Sequence, residues 1–404
     1  MTMRSAGLPA LALAFALAAT AAHSQALSVA DLEREFVATD LEGKVEVVRS
    51  SAGSGSRAAP LHLRALAFVA ENLALLGPDR LLADLTVEAA RGARAAGIGD
   101  AAPLLLGLFT AFDNPGVGIA LLEALGTLGR GYPDASATIE AWLAAKAAVL
   151  ESADAPELRE SGERSRLLAC AAALGSLGAP SAYGELFDLF VRASASGDDG
   201  LKAAAAGAMA SLAGDYRGFL SGFVGSGPAA RRAAALSAGL DYAGLPDEDR
   251  GMLAEKALAG ALDEPGADPV GREIVRAVRF RAARELRVRR WQRASPLVAR
   301  HFYDILDGWN KGRSPESELV EAIDTLGAMG TNEAAQTLAI FLQFANSEVE
   351  RGSAFNETVA MAVVRNLGQL GDKMAFDYLL YMGYLPWSET VKRAARDALL
   401  LLRW

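Results

Sequence analysis

The segment 272–300 holds the side chains with the clearest chemical meaning. It reads REIVRAVRFRAARELRVRRWQRASPLVAR and contains ten Arg and two Glu, a net charge of +8. All of its cations are Arg, whose planar guanidinium binds a carboxylate or a phosphate through two parallel hydrogen bonds. This composition suits pairing with carboxylates or phosphates, either within the protein or on a partner.

The spacing of these arginines predicts a basic stripe if the segment is one helix. At ~100° per residue, six of them fall within about 60° of one direction. These six are Arg272, Arg276, Arg279, Arg287, Arg290 and Arg293. Two interpretations remain open. Either the arginines pair with acids of neighbouring helices, including those in PDEDR and DGW, or they bind an acidic partner segment, an anionic envelope polymer or a lipid headgroup.

A second candidate surface is aromatic, in a chain whose aromatic content is only 7%. The stretch FDYLLYMGYLPW contributes Tyr378, Tyr381, Tyr384 and Trp387, and Trp291 stands inside the Arg-rich segment. Tyr and Trp favour interfaces because they bury a large area while keeping a polar tip. These residues therefore form a contact surface or fill the end of the fold.

Residue types that perform catalysis or bind metals are sparse. Beyond residue 26 the only histidines are His62 and His301, which lack metal-ligand spacing. Cys170, the only cysteine, stands among Leu and Ala, where we expect a small buried hydrophobe. The sequence contains no G-x-S-x-G, Walker A or strand-linked G-x-G-x-x-G motif. We therefore predict no enzyme, cofactor or metal site.

The overall charge disfavours nucleic acid and anionic membranes as general partners, unless a local basic patch overrides it. The chain has 40 Lys and Arg against 49 Asp and Glu, a formal net charge of −9. An acidic surface argues against general binding of nucleic acid. Ala and Leu supply most of the apolar residues, and both favour helices over strands.

A recurring phrase predicts the elements that position these residues. Small and apolar residues close on Leu-Gly, and a second apolar run follows, as in ALGSLGAPSAYGELFDLF at 173–190. Helical periodicity before the glycine, a left-handed glycine at the end, and a capping group or Pro afterwards predict a helical hairpin. The closing glycines are Gly77, Gly99, Gly129, Gly178, Gly214, Gly244, Gly330 and Gly371.

An inner glycine also recurs in the Leu-Gly-x-x-Gly phrase. Gly inside a helix costs roughly 1 kcal/mol relative to Ala. Its repetition therefore predicts that a neighbouring helix passes too close for a methyl group. The inner glycines are Gly126, Gly175, Gly327 and Gly368.

Three stretches, TVKRAARDAL, VVRNLGQLGDKMAFDYLL and AGIGDAAPLLLGLF, resemble the HEAT-like repeats of the armadillo-type superfamily. They are similar to the short variety found in phycobilisome-lyase-like proteins. The resemblance covers roughly residues 58–404 and implies an all-α, right-handed superhelix of about seven or eight hairpins. It also implies a scaffold or adaptor. It does not imply lyase activity, because no catalytic residue can be transferred to this sequence.

The N-terminus predicts export. Residues 1–26 combine Arg4, an apolar stretch and a small-residue end, which is the pattern of a secretory signal peptide. Residues 27–57 are expected to be a leader with a strand-like piece in GKVEVVRS and a Ser/Gly linker. We expect no later membrane-spanning segment, and a location on the periplasmic or extracellular side of a bacterial envelope.

Together these patterns predict an exported, non-enzymatic scaffold that binds a protein partner. One alternative is an envelope-associated protein that binds anionic lipid or polymer through the Arg stripe. Another is a protein that binds a small ligand, or acts on it, in the groove of the superhelix.

Overall fold

The computed structural model describes residues 28–77, 79–150 and 162–403. These residues form two compact units. Unit 1 holds the described residues up to Leu189 together with Ala203–Ala213. Unit 2 holds Phe190–Lys202 together with the described residues from Gly214 onward. The predicted signal peptide lies outside the described residues.

Helices make up all the regular secondary structure of the described ranges, which confirms the all-α class. The first ten are α1 (Val29–Ala38), α2 (Leu41–Ser50), α3 (Ala59–Leu76), α4 (Arg80–Ala96), α5 (Ala102–Ala111), α6 (Pro115–Leu128), α7 (Pro133–Leu150), α8 (Gly162–Leu177), α9 (Tyr183–Ser196) and α10 (Asp199–Ser211). The others are α11 (Tyr216–Val224), α12 (Ala229–Leu240), α13 (Asp247–Asp263), α14 (Pro269–Arg289), α15 (Ser295–Asn310), α16 (Glu316–Ala328), α17 (Asn332–Glu350), α18 (Glu357–Leu370), α19 (Phe376–Tyr381) and α20 (Glu389–Leu399).

Each unit is a repeat of helical hairpins arranged in two layers. In unit 1, α2, α4, α6 and α8 pack side by side as an even layer, and α1, α3, α5 and α7 form an odd layer. Unit 2 repeats this order, with α12 to α20 in its even layer and α11 to α19 in its odd layer. Because every hairpin covers the next, Leu and Ala from both layers form one continuous core in each unit. The described helices make more hairpins than the seven or eight predicted.

The inner glycines lie where successive even-layer helices touch. A methyl group on Gly175 of α8 would lie 3.0 Å from the Ala208 Cα of α10, and one on Gly368 of α18 would lie 3.0 Å from the Ala398 Cα of α20. A methyl group on Gly126 would lie 3.0 Å from the Ala173 Cα of α8, and one on Gly327 would lie 2.7 Å from the Cβ of Asn366 on α18. The prediction of close helix approach is therefore confirmed at all four positions.

The closing glycines follow the prediction only in part. Gly178, Gly330 and Gly371 have left-handed backbones with φ between 67° and 73°, as expected of a residue that ends a helix. Gly129 instead stays right-handed at φ −79°. In the copy of the phrase that was predicted to close at Gly99, the left-handed residue at the end of α4 is Gly97 instead. Thr331 caps α17 by accepting a hydrogen bond from the Ala334 amide, as predicted.

The strand-like piece predicted near residue 45 is wrong. Residues 41–50 form α2, which begins at Asp40, whose carboxylate accepts a hydrogen bond from the Gly43 amide. Val45 and Val48 are buried, and α2 packs against α4 of the same layer. The Ser/Gly stretch that follows is a 3-10 helix over Ser51–Ala58, with a left-handed Gly55.

One helical stretch of the described residues, Leu41–Leu76, is long and apolar enough by length and composition to cross a membrane. The expectation that no such stretch follows the signal peptide is therefore wrong by this measure. Gly55 interrupts the helix, and Leu61, Leu66 and Val69 are fully buried in the core of unit 1. A core helix of a helical repeat meets the same criteria.

Candidate protein-binding surfaces

The Arg-rich segment is not one helix. The helix α14 ends at Arg289, and Arg290 has a left-handed backbone with φ 49°. A 3-10 turn over Gln292–Ala294 then leads into α15. The predicted stripe is therefore wrong at its end, because Arg290 and Arg293 lie beyond the helix whose face they were expected to share.

Most of these arginines pair with acids on neighbouring helices. Arg276 and Arg284 bind Glu318 and Glu321 of α16, and Arg281 binds Asp241 at the end of α12. Seven of the ten have such a partner, and the remaining pairs are Arg279–Asp304, Arg289–Asp247, Arg293–Glu255 and Arg300–Asp263. Asp247 belongs to PDEDR, as one interpretation expected, whereas Asp307 of DGW pairs with Lys311 and Arg313.

Several ion pairs join adjacent helices of the even layer. In unit 2 they are Asp241–Arg281, Arg284–Glu321 and Asp324–Arg365, and in unit 1 they are Arg49–Glu88 and Arg94–Glu123. We call this set the charge ladder. Its members are partly exposed, so each ion pair contributes at most about 1 kcal/mol to the stability of the folded protein.

Arg279 is tied into the protein interior. Its Nε donates to His301 Nδ1 at 2.6 Å, its Nη1 donates to Asp304 at 2.5 Å, and its side chain is 13% exposed. Burial, together with the nearby Arg279 charge, lowers the pKa of His301 to about 3. The imidazole is thus neutral, with its proton on Nε2. That nitrogen is buried without a hydrogen-bond partner in the described structure. Arg279 is therefore not available to a partner molecule.

Three arginines of the segment have no acidic partner among the described residues. Arg272, at the start of α14, donates to the Ala267 carbonyl. Arg287 is half-buried, and Arg290 is exposed. An open cleft of about 570 Å³ lies near the end of α14, and its lining residues are Asp247, Glu248, Val288, Arg289 and Trp291. Neither Arg287 nor Arg290 lines it.

The predicted aromatic surface divides into buried and exposed members. Trp387 is buried, and its Nε1 donates to Asn346 Oδ1 at 3.1 Å, so it fills the end of unit 2. Tyr378 is half-buried. Tyr381 is exposed and its hydroxyl bonds Glu350, while Tyr384 is 79% exposed. Only the last two lie on the surface.

The odd layer of unit 2 carries further exposed apolar side chains that the sequence did not reveal. Tyr303 lies on α15, Ile340 and Phe344 on α17, and Leu380 on α19. Even-layer helices cover the inner side of these helices and neighbours cover their flanks, so an exposed residue lies on the outward side. We define the apolar face as Tyr303, Ile340, Phe344, Leu380, Tyr381 and Tyr384. Apolar residues at i and i+4, such as Ile340 and Phe344, are as typical of a buried helix face as of an exposed one. The sequence pattern therefore did not reveal this surface.

Reactive groups are buried or scattered. Cys170 is buried, and loss of hydration raises its thiol pKa far above the usual range. Burial also lowers the pKa of His62 in unit 1. The part of the chain that the structure describes contains no group of three or more His, Cys, Asp or Glu arranged to hold a metal ion.

No protein-family model matches the chain, and no match to it was found among curated proteins. The observations that bear on function are therefore the helical repeat and the apolar face.

Proposed function

We propose that this chain is an exported, HEAT-like repeat scaffold of the armadillo type, without enzymatic activity, that binds a protein partner. The two-layered hairpin repeat in each unit supports the scaffold class, since such repeats present extended surfaces for partners. The signal-peptide pattern of residues 1–26 supports export to the periplasmic or extracellular side of a bacterial envelope.

The apolar face is the observation that carries the proposal. Five of its residues come from three successive odd-layer helices, and Tyr384 lies in the 3-10 turn that follows α19. The exposed fractions include 48% for Phe344, 49% for Ile340 and 79% for Tyr384. Several large apolar and Tyr side chains on one outward surface are typical of a protein interface. Tyr303 and Tyr384 are exposed, and a Tyr side chain offers a partner both apolar area and a hydroxyl that can form a hydrogen bond.

The alternative that rests on a continuous Arg stripe loses most of its support. An anionic polymer or lipid needs several free cations side by side. Seven of the ten arginines are already engaged by carboxylates. The stripe also breaks at Arg290.

Site-specific photocrosslinking tests the apolar face. We expect a photoreactive residue in place of Phe344 or Tyr384 to form an adduct with the same envelope protein in living cells. The matched control places it at Ala277, an exposed position on the even-layer helix α14. A second arm adds the Ile340→Glu change, which should remove the adduct because a buried carboxylate without a partner opposes binding.

Three results would contradict this function. One is equal adduct formation at Ala277, and another is an adduct that survives Ile340→Glu in a variant with an unchanged circular dichroism spectrum. The third is binding of the purified protein to phosphatidylglycerol vesicles without any protein adduct, which would make the apolar face a membrane contact.

A further inference from the structure

The three helices that carry the apolar face are rich in acids. Together α15, α17 and α19 contain one Arg and six carboxylates, and α17 has neither Lys nor Arg. The six acids are Asp304, Asp307, Glu333, Glu348, Glu350 and Asp377. The Arg, Arg300, is engaged by Asp263 of α13. A molecule that approaches the apolar face therefore meets a negative electrostatic potential.

Half of these carboxylates are neutralised by cations of unit 2. The pairs are Asp304–Arg279, Asp307–Lys311, Asp307–Arg313 and Glu348–Arg351. The other three, Glu333, Glu350 and Asp377, are exposed and form no ion pair within the described ranges. We call these three the acidic rim. Lys373, in the turn before α19, is also exposed and unpaired there, which leaves these four side chains with a net negative charge.

The acidic rim lies beside the apolar side chains. Glu333 precedes Ile340 by two turns of α17, so both side chains lie on the same side of that helix. Asp377 stands one turn before Tyr381 on α19. Glu350 of α17 accepts a hydrogen bond from the Tyr381 hydroxyl at 2.7 Å. Carboxylates without cations thus border the part of the apolar face that α17 and α19 form.

This arrangement selects among partners by their charge. A partner that covers the apolar face removes water from the neighbouring carboxylates, and cations on the partner offset that loss of hydration. An acidic partner would be repelled, and so would a membrane of anionic lipids. A partner that places Lys or Arg next to its apolar side chains satisfies both the apolar face and the acidic rim.

We propose that the apolar face binds a basic amphipathic segment of the protein partner. Its apolar side chains contact Ile340, Phe344 and Leu380, and its Lys or Arg side chains pair with the acidic rim. The inference rests on the proposed function, because it names the kind of partner that the same surface takes. The proposed function requires apolar contact alone, whereas this inference also requires the charges.

Binding of model peptides to the purified mature protein tests the charge requirement. The first peptide, of about 18 residues or five helical turns, carries Leu and Phe along one face and Lys beside that face. A second peptide has Glu in place of Lys, and a third has the composition of the first in scrambled order. Fluorescence anisotropy should show binding of the first peptide only. Its affinity should fall severalfold between about 0.05 M and 0.5 M NaCl.

Neutralising the acidic rim should weaken binding of the basic peptide about tenfold in a variant that combines Glu333→Gln, Glu350→Gln and Asp377→Asn. These changes keep side-chain size, and an amide oxygen at position 350 can still accept the Tyr381 hydrogen bond. The matched control is Glu273→Gln, which removes an exposed carboxylate from the even-layer helix α14. We expect it to bind the basic peptide like wild type, and we expect both variants to keep the circular dichroism spectrum.

Equal binding of the Lys and Glu peptides would overturn the inference, as would wild-type affinity in the acidic-rim variant. Binding of the scrambled peptide, or of phosphatidylglycerol vesicles in place of the peptides, would also overturn it. Photocrosslinking in cells separates this inference from the proposed function. A Phe344 adduct that is undiminished in the acidic-rim variant would reject this inference alone. Failure to form any adduct in wild type would reject the proposed function, and this inference with it.

Discussion

Replacing Gly175 by Ala is expected to destabilise unit 1 by about 1–3 kcal/mol, although Ala is the better helix former. The new methyl group would lie 3.0 Å from the Ala208 Cα and 2.9 Å from the Ser211 hydroxyl, both on α10. Backbone atoms cannot move aside locally, so the two helices must separate and lose packing. Chemical denaturation followed by circular dichroism measures the loss.

The matched control is Gly207→Ala, on α10 itself. A methyl group there would meet no other atom within 4 Å, so only the helix preference of Ala acts. We expect a gain of about 0.5–1 kcal/mol. If Gly175→Ala also gained stability, the inner glycines would not mark close helix contacts.

Acidification is expected to weaken unit 2 through His301. Its pKa in the folded protein is about 3, below the ordinary value near 6.5 that the unfolded chain has. The unfolded state therefore takes up a proton first. The stability contributed by neutral His301 is complete above about pH 6.5 and falls as the pH drops towards 3. At pH 5 the loss amounts to about 2 kcal/mol relative to pH 7.5.

His301→Asn isolates this contribution from other titrating groups. Asn keeps an oxygen where Nδ1 accepts from Arg279, but it cannot take up a proton. The unfolding free energies of wild type and variant, measured at pH 7.5, 6 and 5, should approach each other as the pH falls. Wild type loses stability faster than the variant. Parallel pH profiles for the two proteins would mean that His301 is protonated in the fold or that its surroundings open readily.

The hairpin repeat could be predicted because its signals are local. A glycine next to a helix contact, an apolar stripe and a capping Thr331 each act within a few residues. The segment around Val45 shows the limit of such signals. Alternation of Val with charged residues predicts a strand, but the Asp40 cap and packing against α4 make it a helix. Tertiary contacts decided the structure there.

The candidate site could be predicted only in part, because exposure and pairing depend on distant residues. The sequence located Arg290, Tyr381 and Tyr384, which lie on the surface. It could not show that Glu318 engages Arg276 or that Asn346 holds Trp387 inside. Those partners are 42 and 41 residues away along the chain. No local pattern contains that information.

The charge ladder has a consequence for how the chain assembles. Its unit 2 pairs join residues 40, 37 and 41 positions apart, so each helix carries charges that match the helix about one hairpin away. Many helices here have similar Ala and Leu surfaces, and wrong neighbours are the usual misfolding hazard of repeat proteins. A helix docked beside the wrong neighbour would leave these charges unmatched or facing like charges. The charge ladder thus favours the native order of helices whose apolar surfaces are otherwise alike.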